Sequence, residues 1–412
     1  MASSGGSVLI VGAQVFDGLR SLGKRDVLVR GGLIIAIAKR IKPPFGVEQI
    51  DGSGMTLLPG LIDAHIHDIP GGAADALRFG VTSEFDMYGF ADRAAAKARK
   101  AQRTDLGRVA QADVWSAGFG ATPPGGHPTE LFKDLPADVP QPPTLGPDQD
   151  VTAFMKARLA EGSDYIKVIE DDGGRPGNAP FLSAFSPFRL AQVMAAAKAS
   201  GKLVIVHVQQ LAAARQVVAE GADALAHALC DDAGDDTFFK AMRDRHVRQI
   251  GTLAIYNGIG GGTAGKLMAA QPWIAPLLSP TQKTILSMTL PHPAPAQFDT
   301  ALENVRRAHK AGIIILAGTD SPNPTTAFGL SLHVELAMLV LAGLTPAKAL
   351  AAATSAPAKF FGANDRGRIS RGKRADLLLV EGDPLHDIAQ STHIAAIWKN
   401  GWKVQRTLSP QS

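Results

Sequence analysis

Short apolar runs rich in β-branched residues alternate along most of the chain with longer, alanine-rich stretches of helical character. This alternation predicts successive strand–helix units that share a parallel sheet. The eight predicted strands cover residues 61–65, 81–86, 113–119, 165–170, 203–208, 224–229, 249–256 and 313–318. The clearest helices between them cover residues 91–102, 151–162, 186–200 and 210–221. Eight such units predict a (β/α)8 TIM barrel, in which the catalytic groups lie at the carboxyl ends of the strands.

The two ends of the chain have a different pattern. Residues 7–56 contain short β-type runs divided by Gly, Asp and Lys turns, and residues 375–401 repeat this style. We therefore expect residues 1–58 and 364–412 to form one composite β-sandwich domain beside a barrel of residues 59–363.

Composition narrows the class of protein. Of the 412 residues, 45% are hydrophobic and 19% are charged, which is typical of a soluble protein with a large core. The net charge of +4 comes from Lys and Arg residues scattered along the chain, so we expect no nucleic-acid partner. No apolar run has the length of a bilayer span, and residues 1–6 lack the features of a signal peptide. We expect a cytoplasmic protein without a membrane partner.

The chain has a single cysteine, Cys230, which excludes an intramolecular disulfide. This usage is typical of a reducing compartment and agrees with a cytoplasmic location. We interpret Cys230 as a small buried side chain rather than as a nucleophile.

The first predicted barrel strand ends in two histidines, His65 and His67, and Pro-Gly breaks precede and follow it. Because side chains alternate on a strand, the two imidazoles face the same side and can bind one metal ion. Chance is the competing interpretation, since a chain with 11 histidines easily contains one His-X-His pair. The position at the carboxyl end of a strand favours a metal site.

Four more residues of suitable chemistry lie on later strands. Lys167 lies within an apolar strand, where an ammonium group is costly unless it is neutralised or paired, or unless it reaches solvent from an edge. His207 and His227 end consecutive strands; each alone is equally typical of a core histidine, but together they favour a ligand pair. Asp320 follows the last strand, where its alternative role is to cap a helix.

Residues 57–67, Leu-Leu-Pro-Gly-Leu-Ile-Asp-Ala-His-Ile-His, closely resemble the first metal motif of the amidohydrolase superfamily. Residues 365–376, followed by Gly-Asp-Pro at 382–384, are a second match, and the resemblance extends over nearly the whole chain. Within the superfamily, the chain is most similar to the binuclear-metal branch of prolidase-like and ochratoxin-hydrolase-like enzymes. The resemblance implies the same barrel and the same composite terminal domain.

The resemblance also implies a ligand set and a cofactor. Two divalent metal ions, with zinc as the first choice, are expected. Carbon dioxide would convert Lys167 to a carbamate that bridges them. Each ion would have its own further ligands: His65, His67 and Asp320 for the first, His207 and His227 for the second. Asp320 and the modified Lys167 would then be the catalytic residues, with Asp320 as the proton shuttle.

The function implied is hydrolysis of an amide C–N bond by a hydroxide that bridges the metals. The loops of residues 120–150 and 257–298 are long and carry apolar side chains, so we expect a small hydrophobic or aromatic substrate. An N-acyl amino acid, a dipeptide-like compound or an aryl amide would fit. The residues expected to contact the substrate, chosen by their position at the mouth, are Tyr88, His127, Tyr256 and His292.

Several alternatives stay open from the sequence. The same site suits an esterase, a lactonase or a carbamate hydrolase, and no arginine can be singled out to bind a substrate carboxylate. A mononuclear deaminase is less favoured, because those relatives typically carry Glu where this chain has Gln210. An inactive scaffold is also less favoured, since all six expected ligand positions are filled. We expect the enzyme to be a homo-oligomer.

Overall fold

A computed structural model describes residues 6–89, 92–133, 141–175, 179 and 181–408. These residues form a mixed α/β structure. Its strands are β1 (Val8–Phe16), β2 (Ser21–Arg30), β3 (Leu33–Ala38), β4 (Glu48–Asp51), β5 (Met55–Pro59), β6 (Leu61–Ile66), β7 (Val81–Asp86), β8 (Asp113–Ser116), β9 (Ile166–Ile169), β10 (Val204–His207), β11 (Ala224–Ala226), β12 (Arg248–Ile250), β13 (Ile315–Leu316), β14 (Leu377–Glu381), β15 (Ile394–Lys399) and β16 (Trp402–Lys403).

The helices lie mostly between the strands of the central region. They are α1 (Gly72–Arg78), α2 (Arg93–Thr104), α3 (Val151–Glu161), α4 (Pro187–Ala199), α5 (Leu211–Ala219), α6 (Asp236–Asp244), α7 (Leu253–Ile259), α8 (Ala264–Ala269), α9 (Pro280–Ser287), α10 (Pro295–Lys310), α11 (Leu330–Leu341), α12 (Pro346–Ala352) and α13 (Ser355–Phe360). Short 3-10 helices cover Thr129–Phe132, Ala275–Leu277 and Ile388–Thr392. No helix of the described residues combines the length and the apolar character needed to cross a membrane.

Several helices begin where the sequence provides a capping side chain. The Asp150 carboxylate accepts hydrogen bonds from the backbone N–H groups of Thr152 and Ala153 at the start of α3. The Ser186 hydroxyl accepts one from Arg189 at the start of α4, where Pro187 occupies the first turn. These contacts satisfy N–H groups that have no partner within the helix, and so they fix where each helix starts.

The eight central strands are parallel and follow chain order. Strands β6 to β8 form one sheet and β9 to β13 another, and each strand pairs with its neighbours in sequence. Isolated bridges join the two sheets, Ala121 to Val168 on one side and Ile66 to Ser321 on the other. A single closed sheet of eight strands, as expected for the barrel, is not seen among the described residues. The ends of β6, β10 and β11 nevertheless lie together, because the His227 ring is 4.7 Å from the His65 ring and 4.5 Å from the His207 ring.

One predicted strand is largely a helix. Residues 249–256 were expected to be extended, but β12 ends at Ile250 and α7 begins at Leu253. A short apolar run does not distinguish a buried strand from a buried helix, which explains the error. The helix is stabilised by a distant group, because the buried Glu335 carboxylate accepts a hydrogen bond of 2.8 Å from the Ala254 N–H. The last strand is also shorter than predicted and covers only Ile315–Leu316.

Strands from both ends of the chain form one further sheet. Its order is β16-β15-β14-β5-β1-β2-β3, with β4 paired to β1. Strand β14 pairs antiparallel with β5, which leads through Gly60 directly into β6. The sheet is a single network of eight strands, so the two-layered sandwich expected from the sequence is not confirmed. The domain limits of residues 1–58, 59–363 and 364–412 stay a prediction, and residues 1–5 and 409–412 lie outside the described residues.

Candidate active site

The first group of donors lies where β6 and β13 end. His65 is fully buried and His67 is one-third exposed, with 34% of its side chain accessible. Both rings reach one oxygen of Asp320, since Oδ1 lies 3.2 Å from His65 Nε2 and 2.9 Å from His67 Nε2. The Asp320 N–H donates to the His65 carbonyl over 2.8 Å, which ties the two segments together. One donor atom from each residue lies within 4.8 Å of the others.

The protonation of this group follows from burial and charge. Burial lowers the pKa of His65 to about 3, so its imidazole is neutral. Burial alone would raise the pKa of Asp320, but the neighbouring His227 and His65 hold it well below its usual range. Burial opposes protonation of His67, yet its contact with Asp320 raises the pKa of that ring. A neutral imidazole and an ionised carboxylate are the forms that bind metals.

A second group of donors lies where β10 and β11 end. His207 Nδ1 and His227 Nε2 are 2.9 Å apart, so the two rings converge on one point. The opposite ring nitrogens face oxygen atoms: His207 Nε2 is 3.1 Å from Asp171 Oδ2, and His227 Nδ1 is 3.0 Å from Thr252 Oγ1. Burial lowers the pKa of His207 to about 4 and that of His227 well below its usual value. Both rings are therefore neutral near pH 7.

The backbone is strained at several of these positions. His227, Thr252 and Asp320 have φ angles of 78°, 48° and 60°, the left-handed region that side chains other than glycine rarely adopt. Such conformations cost free energy and persist where the surrounding structure enforces them, often at functional sites. Here they belong to two of the predicted ligands, His227 and Asp320, and to Thr252, the hydrogen-bond partner of His227.

Lys167 lies on β9 within the same buried region. Its side chain is buried, and its Nζ atom has no hydrogen-bond partner. Burial lowers the pKa of Lys167 to about 7, with Asp320 and Asp86 acting in the opposite direction. Gly120 makes room beside it, because a β-carbon at that position would lie 3.2 Å from the Lys167 Cγ atom. A half-neutral, unpaired amine is an expensive group to bury unless it has a function.

The donor set fits the divalent metal ions that the sequence resemblance implies. His65 Nδ1 and Lys167 Nζ are buried without a hydrogen-bond partner, and the one polar contact of His65 Nε2 is with Asp320 Oδ1, 3.2 Å away. Buried polar atoms are normally paired, and a ligand bound at this site would account for the missing partners. Imidazole nitrogens and a carboxylate oxygen are donors that zinc shares with other divalent transition metals.

The comparisons with known proteins agree with this geometry. Residues 56–405 match the model of the Amidohydrolase family. The chain belongs to the amidohydrolase family. The imidazolonepropionase of Deinococcus radiodurans is 27% identical over 391 residues, which cover 88% of this chain and 87% of that protein.

Solved structures support the fold. A Xaa-Pro dipeptidase with methionine bound in its active site has a TM-score of 0.73 at 21% identity, covering 97% of this chain and 100% of that one. The A. niger ochratoxinase has a TM-score of 0.71 at 20% identity, covering 97% and 96%. This amidohydrolase therefore has a TIM-barrel-type fold. It is a hydrolase that acts on C–N bonds.

Two of the four predicted substrate contacts border the donors of this amidohydrolase. The Tyr88 carbonyl accepts a hydrogen bond of 3.1 Å from His67 Nδ1, and the Tyr88 hydroxyl is buried without a partner. The His127 ring lies 4.7 Å from the His207 ring, and its Nδ1 is 2.5 Å from Glu130 Oε1. Both residues therefore border the donors, and contact of their side chains with a substrate stays a prediction.

The other two predicted contacts are placed differently. Tyr256 is fully buried on α7, and its hydroxyl donates to the Ala228 carbonyl over 2.7 Å. His292 is exposed on the segment before α10. Among the described residues, no hydrogen bond, ion pair or ring contact joins His292 to the donor groups. The structure therefore brings Tyr88 and His127 to the site, but not the Tyr256 hydroxyl or His292.

The sequence interpretation missed two charged residues beside the site. Asp171 follows β9 and contacts His207, and Arg175 forms an ion pair with Asp171 of 2.7 Å. Asp171 shares one signal with Asp320, an acidic residue close after an apolar strand, but Asp320 was chosen because it also matches the family. Arg175 has no such signal, because its contact depends on the path of the loop.

Proposed function

We propose that this amidohydrolase cleaves an amide C–N bond of a small hydrophobic or aromatic substrate, with two divalent metal ions, most simply zinc, as cofactors. His65, His67 and Asp320 would hold one ion, and His207 and His227 the other, with carboxylated Lys167 between them. One observation carries the proposal: the unpaired, buried amine of Lys167 lies close enough to the neutral rings of His65, His207 and His227 to lower their pKa values further.

Bound at these donors, two divalent ions would supply a nucleophile from water near neutral pH and polarise the substrate carbonyl. Lys167 contributes the bridge. Its neutral amine, present in quantity because its pKa is about 7, forms an N–C bond to carbon dioxide and releases one proton. The product is an anionic carbamate with two oxygen donors, which removes the cost of burying an ammonium next to cations.

Asp320 is suited to carry the proton. Both imidazoles of the first donor group lie near its Oδ1 atom, whereas Oδ2 is 4.0 Å from His227 Nδ1, beyond hydrogen-bond distance. Oδ2 can therefore accept the proton of the attacking water and return it to the leaving amine. The Tyr88 hydroxyl would donate a hydrogen bond to the oxyanion, and the His127 ring, whose Nδ1 faces Glu130, would contact the substrate through its other edge.

Apolar side chains support the substrate class. Leu131 and Phe181, on the segments that follow β8 and β9, are 60% and 72% exposed. The Ser183 N–H donates to the Gly125 carbonyl, so the two segments contact each other beside His127 and Asp171. Exposed apolar side chains on such segments favour a substrate with a bulky hydrophobic part. Residues 134–140 of the long loop lie outside the described residues.

The remaining properties are proposed on the sequence alone. We propose that the eight parallel strands close into one barrel and that the enzyme is a cytoplasmic homo-oligomer. His292 and Tyr256 also stay candidates for substrate contact. Size-exclusion chromatography with light scattering tests the oligomeric state.

Metal analysis combined with a substrate panel tests the function. The purified enzyme is expected to hold two divalent ions per chain and to hydrolyse N-acyl aromatic amino acids or aryl amides faster than matched esters, lactones and carbamates. His65→Ala should remove metal and activity together, while His386→Ala, which alters a histidine remote in sequence from all the ligands, should change neither. If the enzyme hydrolyses the esters or lactones faster than the matched amides, the assignment as an amidase is wrong. If the fully active enzyme holds one ion per chain, the proposal of a two-metal site is wrong.

A further inference from the structure

Asp171 joins the second donor group to the loop that follows β9. Its Oδ2 atom lies 3.1 Å from His207 Nε2 and accepts a hydrogen bond of 2.7 Å from Arg175 Nη2. Its Oδ1 atom accepts hydrogen bonds from Arg175 Nη1 and from the Gly173 N–H, of 3.0 and 2.8 Å. Asp171 is 5% exposed, so both carboxylate oxygens are buried and fully used.

The contact determines which nitrogen of His207 carries hydrogen. An ionised carboxylate only accepts hydrogen bonds, so His207 Nε2 must donate to Asp171. The lone pair of a neutral His207 is then on Nδ1, the atom that faces His227 Nε2 at 2.9 Å. A carboxylate behind a ligating histidine fixes both the ring orientation and the tautomer, and it raises the basicity of the ligand.

Arg175 keeps the carboxylate in this place. Its two terminal nitrogens hold both oxygens of Asp171, and Nη2 also donates to the Gln209 side chain, two residues after His207. A bidentate pair of this kind restricts rotation of the carboxylate more than a single ammonium contact would. The guanidinium also balances the negative charge, so Asp171 has no need of a metal ion as partner.

We propose that Asp171, held by Arg175, is a positioning residue that prepares His207 to bind the second metal ion without itself becoming a ligand. The inference rests on the proposed two-metal function. It also assigns to the loop after β9 a role in setting the affinity of one ion and not the other, since the first donor group, His65, His67 and Asp320, has no contact with Asp171 among the described residues.

The test is the metal affinity of Asp171→Asn, measured by chelator competition and by metal content after dialysis, independently of activity. The variant should bind the second ion about 10- to 100-fold more weakly, the range found for outer partners of ligating histidines, and keep the first ion. Asp172→Asn is the matched control. Asp172 lies in the same loop but forms hydrogen bonds with Gln210 and Gly174 instead of a histidine. The affinity of the Asp172→Asn enzyme for both ions should therefore stay unchanged.

Two outcomes would overturn the inference: wild-type affinity for both ions in Asp171→Asn, or an equal loss of affinity in Asp172→Asn. If Asp171→Asn does not fold, the metal affinity of Arg175→Lys is measured instead, because this variant keeps the positive charge but loses the bidentate contact with Asp171. Weaker binding of the second ion would support the inference, and unchanged binding would refute it. A wild-type enzyme that holds only one ion would instead contradict the proposed function, so the two failures are distinguishable.

Discussion

Lys167 is the residue on which the two-metal proposal depends most. A buried amine without a hydrogen-bond partner, with a pKa lowered to about 7, has the nucleophilic form needed to react with carbon dioxide at neutral pH. We predict that Lys167→Ala loses most of its metal and that its turnover falls by more than the roughly 10- to 100-fold typical of outer partners of metal ligands. Short carboxylic acids added in solution should partly restore both, because they supply the two missing oxygen donors.

Metal content and turnover, each measured with and without added acid, check this prediction. Lys348→Ala, a change at an exposed lysine of α12, should behave as wild type. Lys167→Glu is expected to keep metal but to react more slowly, since the shorter side chain displaces the bridge. A Lys167→Ala enzyme with both ions and full turnover would leave a mononuclear site as the better description.

Cys230 illustrates how burial removes reactivity at the level of one residue. Its side chain is buried, and burial raises the pKa of the thiol to about 11. The thiolate, which is the reactive form, is then only about one part in a thousand at pH 8. We predict that an aromatic disulfide reagent labels no cysteine in the native enzyme at pH 8 within minutes, and one per chain after unfolding in guanidinium. Rapid labelling of the native enzyme would show that the thiol is accessible.

At the level of elements, buried charges join the carboxyl-terminal strands to β8. The Lys399 ammonium on β15 lies 2.8 Å from Asp113 Oδ2 and 2.9 Å from Asp376 Oδ2, and Arg366 also donates to Asp113. Lys399, Asp113 and Asp376 are nearly inaccessible. Removing one member leaves buried charges uncompensated, which costs far more than the loss of an exposed pair.

We therefore predict that Lys399→Met lowers the free energy of unfolding by about 3–5 kcal/mol. Urea denaturation of the purified enzyme measures this difference. Lys403→Met is the control, because Lys403 lies on the adjacent strand β16 but is exposed. If the two variants are equally stable, the buried charges contribute to the specificity of strand pairing rather than to stability.

The elements that the sequence predicted well are those with a strong local signal. Strand β7 covers Val81–Asp86 as expected, and α3 begins at the Asp150 cap. Where a contact with a residue distant in the chain determines the local structure, the sequence pattern does not predict that structure. The helix α7 depends on Glu335, which is about 80 residues away, and no local pattern reports that contact. The pairing of β5 with β14 was foreseen only as a likeness between terminal segments.

The candidate site shows the same limit. The strand pattern and the family resemblance together identified five candidate ligands, His65, His67, His207, His227 and Asp320. Each ends or follows an apolar strand, and parallel strands bring such positions together. The residues that contact these ligands could not be predicted in this way. The contacts of Asp171 with His207 and of Thr252 with His227 depend on loop paths and left-handed backbone conformations, which chain position does not encode.

At the level of the whole molecule, the candidate metal ligands lie on or after five different strands, between residues 65 and 320. The unfolded chain cannot present them together, so metal ions should bind the folded state almost exclusively. Binding of this kind stabilises the folded state by mass action, by about 4 kcal/mol when free metal exceeds its Kd 1,000-fold. We predict that dialysis against a strong chelator lowers the Tm by several degrees and that adding Zn²⁺ restores it.

Differential scanning calorimetry of the same sample before chelation, after chelation and after reloading measures this effect. The variant with His65→Ala and His207→Ala lacks a ligand in each donor group, so its Tm should not respond to chelator or to Zn²⁺. If the Tm of the wild type is also unaffected although the ions have been removed, the ions do not stabilise the fold. If the Tm of the double variant falls with that of the wild type, the chelator acts elsewhere, because neither donor group can then be the origin of the change.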